Sequence, residues 1–222
     1  KRLRSSLLLK IGELNFVIDA GPDFRQQMLR ENVRNLRAIL LTHEHVDHIF
    51  GIDDIRSFNW VQGHATDIYA EPRVKEAIRR IFHYVFADFK YPGVPEMKLH
   101  PVKDHPLLID NVKFTPVRCY HHKLPVYGFR VGDLTYITDT NFIADEEMAK
   151  IEGTKILIIN ALRKEKHISH FNLEEALIVA ERVGAEKTFL THLSHQFGFH
   201  QNIQSELPHN VFVAFDGLKL EL

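Results

Sequence analysis

Between Leu40 and His48 the chain reads Leu-Leu-Thr-His-Glu-His-Val-Asp-His, which sets three imidazoles and a carboxylate (His43, His45, Asp47 and His48) inside six positions. The apolar run ahead of it, Leu36-Arg37-Ala38-Ile39-Leu40-Leu41, has the length of a buried strand. Val46, Ile49 and Ile52 then predict a helix starting near Asp47. A strand that passes straight into a helix presents its junction side chains at a sheet edge, where ligands bind in open α/β sheets. Imidazole and carboxylate donors suit Zn, Fe or Mn, and no thiolate is required. Two histidines two residues apart can close on one ion from a turn, whereas the Asp47–His48 pair points elsewhere and can serve a second. The competing reading is a solvated, histidine-rich loop.

Composition narrows the classes. A chain of 222 residues, 45% hydrophobic and 26% charged, buries a substantial core. No linker, repeat or low-complexity tract divides it, so one domain over residues 1–222 is expected. A formal charge of −1 argues against a broad electrostatic grip on nucleic acid. Cys119 is the sole cysteine, which excludes an internal disulfide and fits a reducing, cytoplasmic setting. Fifteen histidines beside that one cysteine point to metal sites built from nitrogen and oxygen. No apolar run approaches the roughly 18 residues of a membrane helix. The chain opens at Lys1-Arg2-Leu3-Arg4 without a Met, and a native strand upstream is expected.

Residues 6–11 and 14–19 read as paired strands across Gly12-Glu13, and Pro22 suits the first position of a helix through Phe24 and Met28. After the 36–41 strand, a short strand is expected at 67–70. A helix from Pro72 carries Val74, Ile78, Ile81, Phe82 and Val85 at helical spacing. Phe86 to Pro95 reads as an ordered aromatic loop over the site. Strands follow at 112–117, 127–131, 134–138 and 156–159, with Gly132-Asp133 as a hairpin turn. Asn172-Leu-Glu-Glu175 has the form of a capped helix start, Leu173, Leu177, Ala180 and Val183 supply its buried face, and Gly184 ends it. Strands at 188–191, 211–215 and 218–222 complete the pattern. Strands with helices between them predict an α/β (α+β) fold, a two-sheet sandwich flanked by helices.

One loop cannot hold two ions, so further donors are expected at strand ends. Cys119-Tyr-His121-His122-Lys-Leu-Pro-Val follows a strand, Tyr136-Ile-Thr-Asp139-Thr ends one in a carboxylate, and Phe189-Leu-Thr-His192 ends one in an imidazole. His64, His83, His100, His105 and His209 have no ligand spacing.

The H-x-H-x-D-H pattern resembles the signature of the metallo-β-lactamase superfamily of binuclear metallohydrolases. That resemblance implies the four-layer αββα sandwich and two divalent transition-metal ions, Zn or Mn, with Fe also admitted. It implies His43, His45, His121 and Asp139 on one ion, and Asp47, His48, Asp139 and His192 on the other, with Asp139 as the bridge. Asp19-Ala-Gly-Pro-Asp-Phe-Arg25, Gly51-Ile-Asp-Asp-Ile-Arg56-Ser-Phe-Asn59 and His167-Ile-Ser-His170-Phe-Asn-Leu-Glu-Glu-Ala-Leu177 look like the phosphodiesterase branch. Phosphoribosyl 1,2-cyclic phosphate phosphodiesterases belong to that branch, and ribonuclease Z is a cousin. The similarity runs over essentially the whole chain. The branch's first strand with its Gly-rich turn, and the cysteine-rich segment many members use for a structural zinc, are absent from this sequence.

The implied activity is hydrolysis of a small phosphodiester, cyclic ones included, by a metal-bridging hydroxide. Asp47 and His170 are the expected catalytic residues. His170 would contact the phosphate and protonate the leaving oxygen, with His167 beside it as a substrate contact. Asp23 and His195 are expected to hydrogen-bond ligand side chains, and His200 is a further candidate. Asp53 and Asp54 read as turn residues. A ribonuclease Z-like nuclease is the first rival, but no Gly/Lys-rich arm to grip RNA is found. Thioester or lactone hydrolysis on the same metals and a metal-binding protein without catalysis are the others. The expected partners are a small phosphodiester and a second copy in a homodimer, with neither membrane nor nucleic acid.

Overall fold

The computed structural model describes residues 2–222. Lys1, the first residue of the expected domain and of the stretch that pointed upstream, lies outside the described residues. The chain divides into two compact units, one ending at Lys103 and one running Asp104–Leu222.

The first unit is a five-stranded sheet in the order β1-β2-β3-β4-β5. β1 (Leu7–Ile11) and β2 (Leu14–Ile18) pair antiparallel across Gly12, whose φ of +57° closes the expected turn. β3 (Ala38–Leu40), β4 (Thr66–Ala70) and β5 (Met97–Pro101) add in parallel. The central β3 is buried at every position, as its unbroken apolar run predicts. Val17, Ile39, Ile68 and Ala70 pack with the apolar residues of α1 (Phe24–Arg30) and α4 (Pro72–Ile81) into one core. The helix expected near Asp47 is a single turn, α2 (Val46–Ile49), which runs through a 3-10 stretch, Phe50–Ile55, into α3 (Arg56–Gln62). α4 starts at Pro72 as expected and stops at Ile81. Phe82 leaves helical geometry, and Val85 falls in a separate 3-10 turn.

The second unit is an eight-stranded sheet in the order β10-β7-β8-β9-β11-β12-β13, with β6 also on β7. Its strands are β6 (Leu107–Ile109), β7 (Val112–His121), β8 (Leu124–Val131), β9 (Leu134–Ile137), β10 (Phe142–Ile143), β11 (Ile156–Asn160), β12 (Lys187–Thr191) and β13 (Val211–Val213). The β6 to β10 pairings are antiparallel, and β9, β11, β12 and β13 run parallel. α5 (Asp145–Met148), α6 (Leu173–Val183) and α7 (His200–Gln204) lie on it. α6 carries the expected capping box: Glu175 N–H donates to the Asn172 side chain at 2.9 Å and Asn172 N–H to Glu175 at 3.0 Å.

β7 extends past the expected 112–117 to His121 despite Pro116. Arg118 N–H, of the same strand parity, faces away from β8 and donates to Glu147 Oε2 at 2.6 Å. The missing N–H of Pro116 therefore falls on the side where neither β6 nor β10 pairs, and costs no ladder bond. The strand expected at 218–222 does not form. β13 is already the edge of the sheet and ends at Val213, and Gly217 at φ +87° breaks the extension.

Two glycines set the backbone around the histidine-rich loop. Ala20 N–H donates to His48 O at 2.8 Å and Gly51 N–H to Ala20 O at 2.9 Å. A Cβ on Gly21 would collide with the Asp47 carbonyl oxygen, and one on Gly51 with the Gly21 carbonyl and the Phe24 Cβ. Gly21→Ala and Gly51→Ala are each expected to cost about 1–3 kcal/mol through overpacking against backbone. Urea unfolding measures the loss, and variants as stable as wild type would contradict this close approach.

Asp67 on β4 accepts from Arg37 Nη1 and His100 Nε2, each at 2.7 Å. Burial opposes its charge, but those hydrogen bonds and the charges of His100 and Arg37 outweigh it and hold the carboxyl below its ordinary 3.8. A depressed carboxyl contributes stability above its unfolded pKa and loses it as pH falls through the folded value. Asp67→Asn is expected to be less stable than wild type near pH 7, and the gap should close as pH falls through the folded-state pKa of the carboxyl, which lies below 3.8. A stability gap of constant size across that range would exclude this linkage.

Candidate metal centre

In the first unit the donors stand where β2 and β3 end. The fully buried Asp19 follows β2 at φ +66°, and its N–H donates to Leu40 O at 3.0 Å beside β3. Its carboxylate accepts from Thr42 N–H at 2.9 Å and from the Thr42 hydroxyl at 2.8 Å. His48 Nδ1 donates to Asp19 Oδ2 at 2.7 Å. The Thr42 hydroxyl has one proton, given to Asp19, so at 2.9 Å it accepts from His43 Nδ1–H. Asp19 thus fixes two histidines through their Nδ1 atoms, one directly and one through Thr42, so that Nε2 is the nitrogen of each that would meet a metal.

His43 Nε2 and His45 Nδ1 approach to 3.0 Å, and the His43 and His48 rings to 4.3 Å between centroids. Two nitrogens on one Zn ion at about 2.0–2.1 Å stand roughly 3.3 Å apart in tetrahedral geometry. The donor types and this spacing fit a divalent transition metal. Buried His43 and His48 contrast with exposed His45 and half-buried Asp47, whose Oδ2 lies 3.7 Å from His48 Nε2.

The second unit gathers its own set. Buried Asp139 follows β9 at φ +51°, and His192 follows β12 at φ +53°. Asp139 Oδ1 lies 3.0 Å from His192 Nε2, and Oδ2 lies 3.3 Å from His170 Nε2. One donor atom from each of these three residues falls within 4.8 Å of the others. The His170 and His192 rings are stacked at 5.3 Å, and His121 meets His170 edge-on at 4.4 Å. His121 Nδ1–H donates to Ser169 O at 2.6 Å, so Nε2 is the nitrogen that would meet a metal.

Asn160 at the end of β11 holds this set from behind. Its side-chain amide accepts from Thr140 N–H and donates to Thr140 O, each at 3.0 Å, and both residues are fully buried. His170 Nδ1 lies 3.1 Å from Ser169 Oγ and 3.2 Å from His167 Nδ1. Burial, the neighbouring His170 and the charge of Arg163 hold the half-buried His167 below its ordinary 6.5.

Several expected residues stand apart. Asp23 reaches no imidazole, and accepts instead from Arg4 N–H and Gln26 Nε2, each at 2.7 Å. The carboxylate that holds a candidate ligand is Asp19, four residues earlier. His195 is exposed in a 3-10 turn, and His200 is exposed with its ring against Phe215. His122 is exposed at the β7–β8 turn with φ +58°. Asp19 and Asn160 were not singled out from the sequence. Asp19 opens one of the quoted motifs, but only the pairing of β2 with β3 shows which aspartate meets His48.

Asp19→Ala is expected to weaken zinc binding roughly 10–100-fold by freeing the rings of His43 and His48. Calorimetric titration of metal-free protein with Zn²⁺ checks it, and wild-type affinity in the variant would remove Asp19 from the centre.

Over 223 residues the chain is 40% identical to an octanoyltransferase of Porphyromonas gingivalis strain W83, covering 99% of this chain and 45% of that protein. It is 26% identical over 136 residues to a ribonuclease Z of Prochlorococcus marinus, covering 58% of this chain and 44% of the relative. The chain thus spans less than half the length of these curated relatives. Among solved structures, a diphosphatase from the PhnP family superposes with TM-score 0.91 at 35% identity, covering 99% of this chain and 85% of the other. The metallo-β-lactamase fold protein YhfI from Bacillus subtilis superposes with TM-score 0.79 at 25% identity, covering 97% and 90%. The expected αββα fold, with two mixed sheets and flanking helices, is therefore present. The model of the beta-lactamase superfamily domain matches residues 14–193, and the chain belongs to the metallo-β-lactamase superfamily.

Proposed function

We propose that the chain is a metal-dependent phosphodiesterase acting on a small phosphodiester, cyclic ones included. The observation that carries this is buried His170, whose Nε2 stands 3.3 Å from the Asp139 carboxylate. The ligand set of this reading is His43, His45, Asp47, His48, His121, Asp139 and His192, holding two divalent ions, Zn or Mn. When bound, such ions make water acidic enough to ionise near neutral pH and offset the charge of phosphate oxygens. Water's oxygen forms the new bond to phosphorus, and the bond from phosphorus to the leaving oxygen breaks. In its doubly protonated form His170 donates Nδ1–H to Ser169 Oγ, 3.1 Å away, and passes the Nε2 proton to the leaving alkoxide. The reading takes a small anionic ester as partner and a reducing, cytoplasmic setting.

Similarity to a PhnP-family diphosphatase favours a second reading, cleavage of a diphosphate by the same attack on phosphorus. A phosphate leaving group ionises with pKa near 6 and departs with little need of a proton. The name octanoyltransferase belongs to a relative more than twice as long. Acyl transfer through a thiolate gains no support here, because Cys119 is buried and its thiol is pushed up to about 12, chiefly by desolvation. The RNA reading draws on the ribonuclease Z similarity, at 26% identity over 58% of this chain, and stays behind the diphosphatase at 35% over 99%; no specific observation favours thioester or lactone hydrolysis.

His170→Ala is expected to lower kcat on an alkyl phosphodiester by on the order of 10²–10⁴. The loss should be smaller for a p-nitrophenyl diester or a diphosphate, whose leaving groups need no proton. Metal content, determined on the same samples, should stay at the wild-type value. An equal penalty on all three substrates would assign His170 to phosphate binding alone, and loss of metal would make it a ligand.

A further inference from the structure

His43 and His45 bring their ring nitrogens to 3.0 Å of each other, but Glu44 between them reaches helix α4. There Arg73 Nη1 donates to Glu44 Oε1, while Nη2 stands 3.4 Å from Glu71 Oε2. One guanidinium thus joins a carboxylate of the irregular stretch 43–45 to the residue that caps the start of α4. Side-chain exposures of 22% for Glu44, 34% for Arg73 and 15% for Glu71 take the cluster out of the class of fully solvated surface pairs, which hold little in place.

Arg73 is an unfavourable residue for α4 itself. Pro72 is the first helical residue, so Arg73 sets a cation in the first turn, where no acidic residue accompanies it. The helix dipole disfavours positive charge at that end. Glu71 makes no side-chain cap hydrogen bond, and its carboxylate lies against Arg73. A local rule broken at a helix start, with the offending side chain tied to another element, marks a residue kept for a role beyond the helix.

That role lies in the stretch it holds. Asp19 orients the rings of His43 and His48, whereas His45 is exposed and follows Glu44 with extended backbone, φ −63° and ψ 146°. Leu41 N–H donates to Tyr69 O at 2.9 Å, which sets this stretch beside the end of β4. The contact from Glu44 to Arg73 attaches it a second time, three residues on, just past the same strand end. Neighbouring side chains of extended backbone leave on opposite faces, so anchoring Glu44 on α4 directs the flanking imidazoles away from the helix and towards one point.

We propose that Arg73 is a positioning residue of the metal centre, which through Glu44 sets where His45 meets the first ion. The inference rests on His43 and His45 as ligands and is independent of the substrate. Holding two carboxylates at once needs the planar fork of arginine, which lysine replaces only in part.

The test follows zinc passing from metal-loaded protein to a chromogenic chelator, and records the absorption spectrum of the cobalt-substituted protein. Wild type is compared with Arg73→Ala, Arg73→Lys, Glu44→Ala, the double variant of Arg73→Ala with Glu44→Ala, and His45→Ala. Arg79→Ala serves as the control, since it removes a cation from the last turn of the same helix. Arg73→Ala should weaken the hold on one ion by roughly three- to tenfold, below the 10–100-fold typical of a group bonded directly to a ligand, and should shift the cobalt bands. Glu44→Ala should match it, the double variant should be no worse than either single one, and Arg73→Lys should recover part of the loss. Arg79→Ala should release zinc as wild type does. Additive losses in the double variant, or equal losses in Arg73→Ala and Arg79→Ala, overturn the positioning role. So does an Arg73→Ala protein with wild-type zinc release and cobalt spectrum, if His45→Ala loses an ion. A His45→Ala protein that holds both ions as tightly as wild type would remove the ligand assignment and the inference with it.

Discussion

The carboxylate of Asp19 is the interaction on which the first unit's donor set depends. Burying a carboxylate is costly unless it is hydrogen-bonded. Asp19 is fully enclosed, yet it takes bonds from Thr42 N–H, the Thr42 hydroxyl and His48 Nδ1. Those bonds join the end of β2 to the loop after β3. They also decide which nitrogens of His43 and His48 carry protons. A carboxylate one residue away in sequence would face the other side of β2 and could do none of this.

Three residues, two of them in the donor sets and one behind them, share a backbone device. Asp19, Asp139 and His192 each follow a strand in the left-handed region, at φ of +66°, +51° and +53°. That conformation costs a residue with a side chain roughly 1–2 kcal/mol. Glycine would relieve the strain and remove the donor. The surroundings therefore hold the shape: Leu40 O takes the Asp19 N–H, and Asn160 clamps Thr140 just after Asp139. Asn160 offers a donor and an acceptor on separate atoms to one residue's backbone, which an ionised carboxylate in its place could not match. Gly21 and Gly51 serve the same end by a different route, letting two backbones approach where any Cβ would push Asp47 and His48 out of place.

Much of this was legible in the sequence where the signal is local. The apolar run before His43, the turn at Gly12 and the capping box at Asn172 and Glu175 each depend on neighbours within a few residues. The donors at 43–48, 139 and 192 declare themselves by residue type and by position after a strand. Asp19 and Asn160 do not, because their partners lie 29 and 20 residues away and are known only once strands are paired. Asp23 looked as good as Asp19 on paper. The alternation of residues 218–222 likewise reads as a strand until the sheet is found to end at β13.

The fold and the donors select a chemistry more tightly than a substrate. The backbone clamps at Asp19 and Asn160 constrain the ligands and leave the loop at 163–167 free to vary in charge. A change such as Arg163 to a neutral side chain disturbs no strand pairing, because that residue's part in the fold is its carbonyl bond to Leu173 N–H. Its side chain bonds only Gln196 and the carbonyls of its own loop. Proteins similar to this chain can therefore bear different names, as the diphosphatase and ribonuclease Z matches do. On this argument the donor sets supply what such reactions share, and discrimination between substrates falls to the residues around them.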